Sequence, residues 1–288
     1  MKKSVISSFA VAASALLLTI CFLFTFQVST VTTSKNADDG VYLPIIMYHS
    51  LLKDTSLQND YTISPTLFEE DLKYLRKNNY TTITVSDLID YVYNDGVLPE
   101  KSIMLTFDDG YYNNYYYAFP LLEKYECKAV ISPIAHMTEL FTENEDISVS
   151  YGHISVDNIK EMVQSGYVEI QNHSYDMHKL KPRMGVEKKQ GESLESYNSV
   201  IEKDIMTAQS YLKDNAGVTP QCFVYPFGAK SEETEKIVKE LGFKCTLSCT
   251  EEPNYITKSE DSLFNLGRYR RDKGESMETL LNRINKSR

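Results

Sequence analysis

Two adjacent carboxylates close an apolar run near the middle of this 288-residue chain. The run is IMLTF, residues 103–107, and Asp108, Asp109 and Gly110 follow it directly. Ionised carboxyls are seldom buried unless they are paired with a cation or bind a metal. A buried strand that ends in this way therefore predicts a partner elsewhere in the chain.

Two histidines are candidate partners for these carboxylates. His173 and His178 lie in EIQNHSYDMHKL, residues 169–180. On a helix, two side chains five residues apart would point about 140° away from each other, and helical metal pairs use the four-residue spacing of HExxH. If these histidines share a ligand, they must therefore hold it from a loop. Taken alone, the segment fits two surface histidines beside a strand equally well. The carboxylates at another strand end favour a shared site, since one carboxylate with two imidazoles commonly holds zinc or another divalent ion.

A bound divalent ion would explain why two adjacent carboxylates are present. One of them would be a metal ligand, and the ion would offset its charge. The other would stay free to take a proton from water at the ion, as a general base does. Water at such an ion can have a pKa of about 7, so a carboxylate is a sufficient base.

The elements that must position these residues alternate between strand and helix. The candidate strands are residues 42–49, 81–85, 102–107, 128–134, 167–172, 221–226, 244–249 and 263–270. Helical periodicity covers residues 66–78, 86–94, 118–126, 156–166, 197–214 and 232–242. This alternation predicts an α/β fold, a distorted (β/α) barrel with seven or eight mostly parallel strands. Asp108, His49 and His173 would then share the rim where such barrels carry their chemistry, and the polar segment 181–196 would be a loop near it.

The beginning of the chain is expected to lie outside the folded domain. Lysines at positions 2 and 3 precede 17 uncharged residues, 10–26, and a stretch of this length is just long enough to span a bilayer. We interpret residues 1–31 as one transmembrane signal-anchor, with a cleaved signal peptide as the alternative. Residues 32–40 would be a linker. Residues 41–288 would form the domain, which faces outward because the lysines stay inside.

The composition narrows the range of partners. The net charge of −10 argues against nucleic acid, because little would neutralise a phosphate backbone. An apolar share of 42% is ordinary for a globular protein with a real core. Cys127, Cys222, Cys245 and Cys249 lack the paired spacing of a structural zinc site. A disulfide is permitted outside the cytoplasm, but free buried thiols are the expectation. We also expect a monomer.

Three motifs together resemble the polysaccharide deacetylase family, also called the NodB-homology or carbohydrate esterase family 4 group. They are TFDDG at 106–110, NHSxxxH at 172–178 and YPFG at 225–228. The resemblance covers roughly residues 42–270. It implies that Asp108 is the general base and that Asp109 binds one divalent metal ion together with His173 and His178.

The chain departs from the commonest pattern of that family in three places. Met177 stands where the second histidine is usual, Val224 stands where an arginine is usual, and the C-terminal third has no histidine to serve as the general acid. The branch of exported poly-N-acetylglucosamine de-N-acetylases shares these departures and has an early MYH strand, here residues 47–49. The resemblance implies that His49 is the acid and that Tyr225 and Phe227 contact substrate, the backbone N–H of Phe227 stabilising the oxyanion.

Several other residues have open roles. Arg268 could orient Asp108 in place of the missing arginine, but a surface or salt-bridge arginine is an equally good interpretation. His136 and His153 have no constellation around them and are expected to be structural or exposed. The tyrosines of residues 111–117 are expected mainly to pack, with one or two rings lining a sugar groove.

The N-terminal pattern and the resemblance together imply a membrane-anchored, metal-dependent enzyme that removes acetyl groups from an extracellular N-acetylglucosamine polymer. Zinc is the expected metal, although cobalt, nickel and iron suit the same ligands. Peptidoglycan and chitin oligomers remain alternative substrates, and a non-catalytic wall-binding module remains an alternative of another class. A glycoside hydrolase fits poorly, because its two carboxyl groups flank the scissile bond and normally come from different strands.

Overall fold

The computed structural model, which describes residues 40–144 and 147–286, has the expected alternation of strands and helices. The strands are β1 Val41–Leu43, β2 Ile45–Tyr48, β3 Ser50–Leu51, β4 Thr62–Ile63, β5 Thr81–Ile83, β6 Ser102–Asp109, β7 Ala129–Pro133, β8 Val168–Ile170, β9 Cys222–Val224, β10 Cys245–Leu247, β11 Asn254–Ile256 and β12 Tyr269–Arg270. The α-helices are α1 Pro65–Lys77, α2 Val85–Tyr93, α3 Phe119–Lys124, α4 Ala135–Glu143, α5 Val156–Gln164, α6 Leu194–Ala216, α7 Glu232–Glu240 and α8 Met277–Lys286.

The central sheet is parallel and has the order β12-β2-β6-β7-β8, with β5 also paired to β6. Strands β9 and β10 form a second parallel pair. Isolated parallel bridges join Asn172 to Phe223 and Leu247 to Leu266, and so continue the strand order from β8 to β9 and from β10 towards β12. The α/β fold with a mostly parallel sheet is therefore confirmed. Strand β1 departs from this direction and pairs antiparallel with β11.

Strand β6 is the centre of this sheet, and all eight of its residues are buried. A run of this kind is typical of a parallel strand covered on both faces. Because successive side chains alternate between the faces, Leu105 and Phe107 pack in the cluster with helix residues such as Phe68 and Leu122. Met104 lies on the opposite side, in a second cluster that includes Val224 of β9 and Leu247 of β10. Thr106 and Asp108 continue the series on that side.

The structure corrects the prediction that residues 263–270 form one strand. A 3₁₀ turn occupies Glu260–Leu263, and strand pairing is limited to β12. Helices α4 and α8 were not predicted. The segment of α4 has mixed polarity and carries little periodic signal, whereas α8 buries Met277, Leu280, Leu281 and Ile284 at helical spacing, a pattern that the prediction missed. Most of the polar segment 181–196 is a loop, as expected, and it is anchored by a buried ion pair between Arg183 and Glu192, 2.6 Å.

The predicted signal-anchor at residues 1–31 and almost all of the predicted linker lie outside the described residues. Among residues 40–144 and 147–286, no helix is both long enough and apolar enough to cross a bilayer. The described residues all belong to one compact unit.

Candidate active site

Two neighbouring strands end at the same rim and deliver the first candidate residues there. Strand β2 pairs with β6 so that Tyr48 lies opposite Phe107, and the residues that follow are His49 and Asp108. Parallel strands end on one side of a sheet, so the side chains after them meet there. The same rim receives His173, three residues after the end of β8.

Asp109, His173 and His178 form a cluster whose ligand atoms all lie within 4.8 Å of one another. Oδ1 of Asp109 lies 3.6 Å from Nε2 of His173 and 3.2 Å from Nε2 of His178. This oxygen is buried and has no hydrogen-bond partner among the described residues. A buried carboxylate oxygen that faces two imidazole nitrogens is the donor set expected of a divalent metal site. The residues present therefore fit such an ion.

Neighbouring groups hold both imidazoles in orientations suited to binding a metal. Nδ1 of His173 lies 2.8 Å from the carbonyl oxygen of Val224. Because a carbonyl only accepts, the proton of a neutral His173 lies on Nδ1, and Nε2 keeps its lone pair for a ligand. The ring of His178 packs against Phe227 with centroids 4.1 Å apart. Phe227 itself has a positive φ of 59° at the edge of the cleft.

The loop between the histidines explains how a spacing of five can serve one site. Ser174 has a positive φ of 70°. Its N–H donates to the side chain of Asn172 at 2.8 Å, and its hydroxyl accepts from the N–H of Met177 at 3.1 Å. This tight turn brings His178 back to His173, which a helix would not do.

The electrostatics of the cluster favour a positive charge between its members. Burial by itself would raise the pKa of Asp109, but the neighbouring imidazole of His173, with smaller contributions from His178 and His49, outweighs it, and the net pKa lies below its usual range. Burial would lower the pKa of His173, yet the Asp109 and Asp108 carboxylates raise it above its ordinary value. Burial, together with the charge of His173, lowers the pKa of His178. A divalent ion would supply positive charge beside the ionised Asp109 carboxylate and would bind His178 in the neutral form that its lowered pKa favours.

Asp108 does not share the metal cluster and is held by Arg268. Nη1 and Nη2 of Arg268 donate to the two carboxylate oxygens of Asp108 at 2.6 and 2.7 Å, and both residues are buried. Nε of Arg268 donates to the carbonyl of Ser248 at 2.7 Å. Burial alone would raise the pKa of Asp108, but the charge and hydrogen bonds of Arg268 lower it by more. The net pKa lies below its usual value, so Asp108 is ionised near neutral pH. The structure therefore excludes a surface position for Arg268 and shows that its buried salt bridge orients the Asp108 carboxylate.

His49 lies in the wall of the same cleft. Its Nδ1 is buried without a hydrogen-bond partner in the part of the chain that the structure describes. The ring of Tyr61 meets its ring edge-on with centroids 4.9 Å apart. Burial lowers the pKa of His49, although the charges of Asp108 and Asp109 oppose this effect. His49 is thus mainly neutral near neutral pH.

These residues line an open cleft of about 750 Å³. Its volume lies within the range of ordinary ligand sites. The outer wall includes Tyr61 and Glu251. The guanidinium of Arg270 lies over the Tyr61 ring, 5.0 Å from its centroid. Tyr61 was not anticipated, because a lone tyrosine in a polar loop carries no periodic or motif signal.

The structure brings together six of the seven residues expected at the site and leaves one apart. Phe227 lines the cleft with the carboxylates and histidines, whereas Tyr225 does not. The Tyr225 side chain is fully buried and packs edge-on against Phe223 at 5.5 Å between centroids. Its place in the core cluster behind β9 leaves no route to the cleft, so a substrate contact by Tyr225 is not supported.

The sequence and fold place this chain among known enzymes. The family model described as polysaccharide deacetylase matches residues 95–246. That match covers more than half of the chain and contains the carboxylate and histidine motifs. The chain belongs to the polysaccharide deacetylase family and is accordingly a hydrolase of N-acetyl amide bonds in polysaccharides.

Relatives and solved structures agree with this membership. The chain is 29% identical over 234 residues to the polysaccharide-deacetylase relative YxkH of Bacillus subtilis (strain 168), covering 81% of this chain and 73% of YxkH. It is 26% identical over 217 residues to the poly-beta-1,6-N-acetyl-D-glucosamine N-deacetylase of Staphylococcus aureus (strain MRSA252), covering 71% of each. The structure of IcaB from Ammonifex degensii superposes with a TM-score of 0.67 at 26% identity, covering 86% of this chain and 97% of IcaB.

Proposed function

We propose that this enzyme removes acetyl groups from N-acetylglucosamine units of an extracellular polysaccharide in a reaction that requires a divalent metal ion. The observation that carries the metal dependence is the unpartnered oxygen of Asp109 facing the Nε2 atoms of His173 and His178. The choice of sugar is supported by the similarity to the Staphylococcus aureus and Ammonifex degensii proteins. Zinc is the proposed ion, and cobalt, nickel and iron are the alternatives, because two imidazoles and one carboxylate suit all four and leave positions open.

The proposed chemistry assigns separate tasks to Asp108, His49 and the ligand cluster. When bound, the ion supplies positive charge for the acetamido carbonyl and for the attacking water. Asp108, fixed by Arg268, accepts one proton from that water as its oxygen bonds to the acetyl carbon. His49, in the protonated form that the charges of Asp108 and Asp109 favour, gives a proton to the amide nitrogen as the C–N bond breaks, so acetate and a free amine leave. The proton that Asp108 took from water then restores His49 for the next turnover. The backbone N–H of Phe227 is proposed as a donor to the oxyanion.

The shape of the cleft supports a polymer rather than a small enclosed ligand. Tyr61 has 51% of its surface exposed at the outer wall. An exposed tyrosine ring offers an apolar face against which a sugar can lie. Peptidoglycan and chitin oligomers carry the same acetamido group, so they are alternative substrates for the same deacetylation.

The test is acetate release from a panel of defined oligosaccharides. The panel contains β-1,6- and β-1,4-linked N-acetylglucosamine oligomers and a peptidoglycan fragment, each with and without chelator. We expect the fastest release from the β-1,6 oligomer, loss on chelation and recovery with added zinc. New reducing ends without acetate would contradict the proposed reaction. Sugar binding without acetate release would instead support a binding module.

The proposed location is outside the cytoplasm, with residues 1–31 as an anchor and the domain acting as a monomer. The proposal rests on the uncharged stretch that follows the two N-terminal lysines. Fractionation of cells that produce the full chain should recover it with membranes, and external protease should degrade it. Recovery in the soluble cytoplasmic fraction would contradict the proposal. Light scattering of the solubilised protein would test the monomer.

A further inference from the structure

The backbone that carries Asp109 has an unusual conformation. Asp109 has a φ of 69° and Gly110 a φ of 67°, so two consecutive residues lie in the left-handed region. A side chain at Gly110 would also collide with Pro133, since its Cβ would lie 2.8 Å from Cα of that residue. An aspartate in this region costs free energy, and the surrounding structure must hold it there. The direction of the Asp109 carboxylate depends on this turn.

The segment around His153 holds the turn from one side. Nδ1 of His153 lies 3.0 Å from the carbonyl oxygen of Asp109. Because that oxygen only accepts, Nδ1 is the donor, and a neutral His153 has no proton on Nε2. The N–H of Ile154 donates to the carbonyl of Gly110 at 2.9 Å. In the other direction, the N–H of Tyr112 donates to the carbonyl of Gly152 at 2.7 Å. Three hydrogen bonds thus fasten this short segment to the turn.

The ring of His153 is itself fixed between two aromatic side chains. It stacks on Tyr111 with centroids 4.9 Å apart and an interplanar angle of 29°. Phe141 of α4 lies on it at 5.4 Å between centroids. His153 is 7% exposed and does not line the cleft, so it is neither a ligand candidate nor a surface residue. Its packing leaves the imidazole little freedom to turn away from Asp109.

We infer that His153 is a positioning residue that aims Asp109 at the metal site. Its N–H donates to the carbonyl of Asp109 at 3.0 Å, and the N–H of Ile134 donates to the same oxygen at 3.3 Å. The shorter bond from His153 fixes the left-handed turn and keeps the carboxylate directed at His173 and His178. This inference rests on the proposed metal dependence. It adds a residue that touches neither metal nor substrate but sets the affinity for the ion, as groups behind metal ligands do.

The variants separate the hydrogen bond of His153 from its packing. His153→Leu removes the donor and keeps an apolar side chain of similar size. His153→Asn places an amide N–H near the former Nδ1 position. Phe141→Leu loosens the packing of the ring and leaves the hydrogen bond in place. For each full-length protein the dissociation constant for zinc is measured by competition with a chromogenic chelator, and the visible spectrum is recorded with cobalt.

We expect His153→Leu to weaken zinc binding about 10- to 100-fold, the range seen when groups behind a metal ligand are removed. Its cobalt spectrum should change, because the geometry of the Asp109 ligand changes. His153→Asn should recover most of the affinity, and Phe141→Leu should lower the unfolding midpoint with unchanged affinity. A folded His153→Leu protein with wild-type affinity and spectrum would overturn the inference. Equal weakening in the Asn and Leu variants would overturn it as well.

A measurement on the unaltered protein covers the case in which the variants do not fold. Long-range proton–nitrogen NMR of labelled wild type should show the Nδ1–H tautomer for His153, and the Nε2–H tautomer would overturn the inference.

Acetate release on the same samples separates the two proposals. Zinc binding that depends on His153 without any acetate release refutes the proposed reaction alone. Chelator-sensitive acetate release with zinc affinity unchanged in His153→Leu refutes the role of His153 alone.

Discussion

Replacing Arg268 with methionine should raise the pKa of Asp108 and impair the enzyme most at low pH. In the native protein the guanidinium donates to both carboxylate oxygens at 2.6 and 2.7 Å. Burial favours the protonated form of Asp108, whereas Arg268 favours the ionised form and outweighs the effect of burial. When the arginine is removed, the effect of burial remains and the pKa of Asp108 moves upward.

The size of this change follows from the geometry of the pair. An opposite charge at contact distance lowers a carboxyl pKa by about 1–3 units. A general base works only above its pKa, so the acidic limb of kcat/KM should move up by about 1–3 pH units in Arg268→Met. Removing one partner of a buried ion pair also costs about 3–5 kcal/mol of folding free energy. The variant should therefore be less stable and, while folded, approach its best activity only at higher pH.

The assay is acetate release from an N-acetylglucosamine oligomer across the acidic and neutral range, with the free energy of unfolding and the metal content measured on the same samples. Arg271→Met is the matched control, because Arg271 is equally buried and donates to Asp71 at 2.8 Å through both Nε and Nη2. It should cost similar stability without moving the acidic limb. An unchanged limb in a folded Arg268→Met protein would refute the reasoning.

Three further substitutions test the other assignments at the site. Asp109→Ala should reduce bound zinc, measured by mass spectrometry, while His136→Ala should not; full occupancy in the Asp109 variant would exclude its role as a ligand. Asp108→Asn should keep metal and substrate binding but lose about 10²-fold or more in turnover, and loss of the metal would instead make Asp108 a ligand. His49→Ala should lose about 10²–10⁴-fold on the amide and much less on an activated acetyl ester, and equal losses would rule out the acid role.

Local patterns in the sequence were sufficient for most of the framework. The alternation of apolar runs with helical periodicity predicted the mostly parallel sheet, because both signals depend on neighbours a few residues away. The same logic placed Asp108 and Asp109 at the end of β6 and His49 after β2. Where the local signal was mixed, as in residues 263–270, the prediction of a strand was wrong over most of its length.

The limits of such patterns are clearest for residues whose partners are distant in the chain. Arg268 and Asp108 are separated by 160 residues, and only the closing of the strands around one core brings them together. Tyr225 stands in the YPFG motif, yet the local turn directs its ring into the core and leaves Phe227 at the cleft. A motif identifies which residues stand together in sequence, but side-chain direction depends on backbone torsion and packing.

The sequence by itself determined the kind of chemistry, because Asp109, His173 and His178 are residue types that can hold a divalent ion and the motifs that contain them mark the family. Only the tertiary structure decided which groups support that chemistry. It buried Arg268 against Asp108 and placed His153 beneath Asp109, contacts that span 160 and 44 residues along the chain. Such contacts form when the whole core packs, and no short stretch of sequence specifies them.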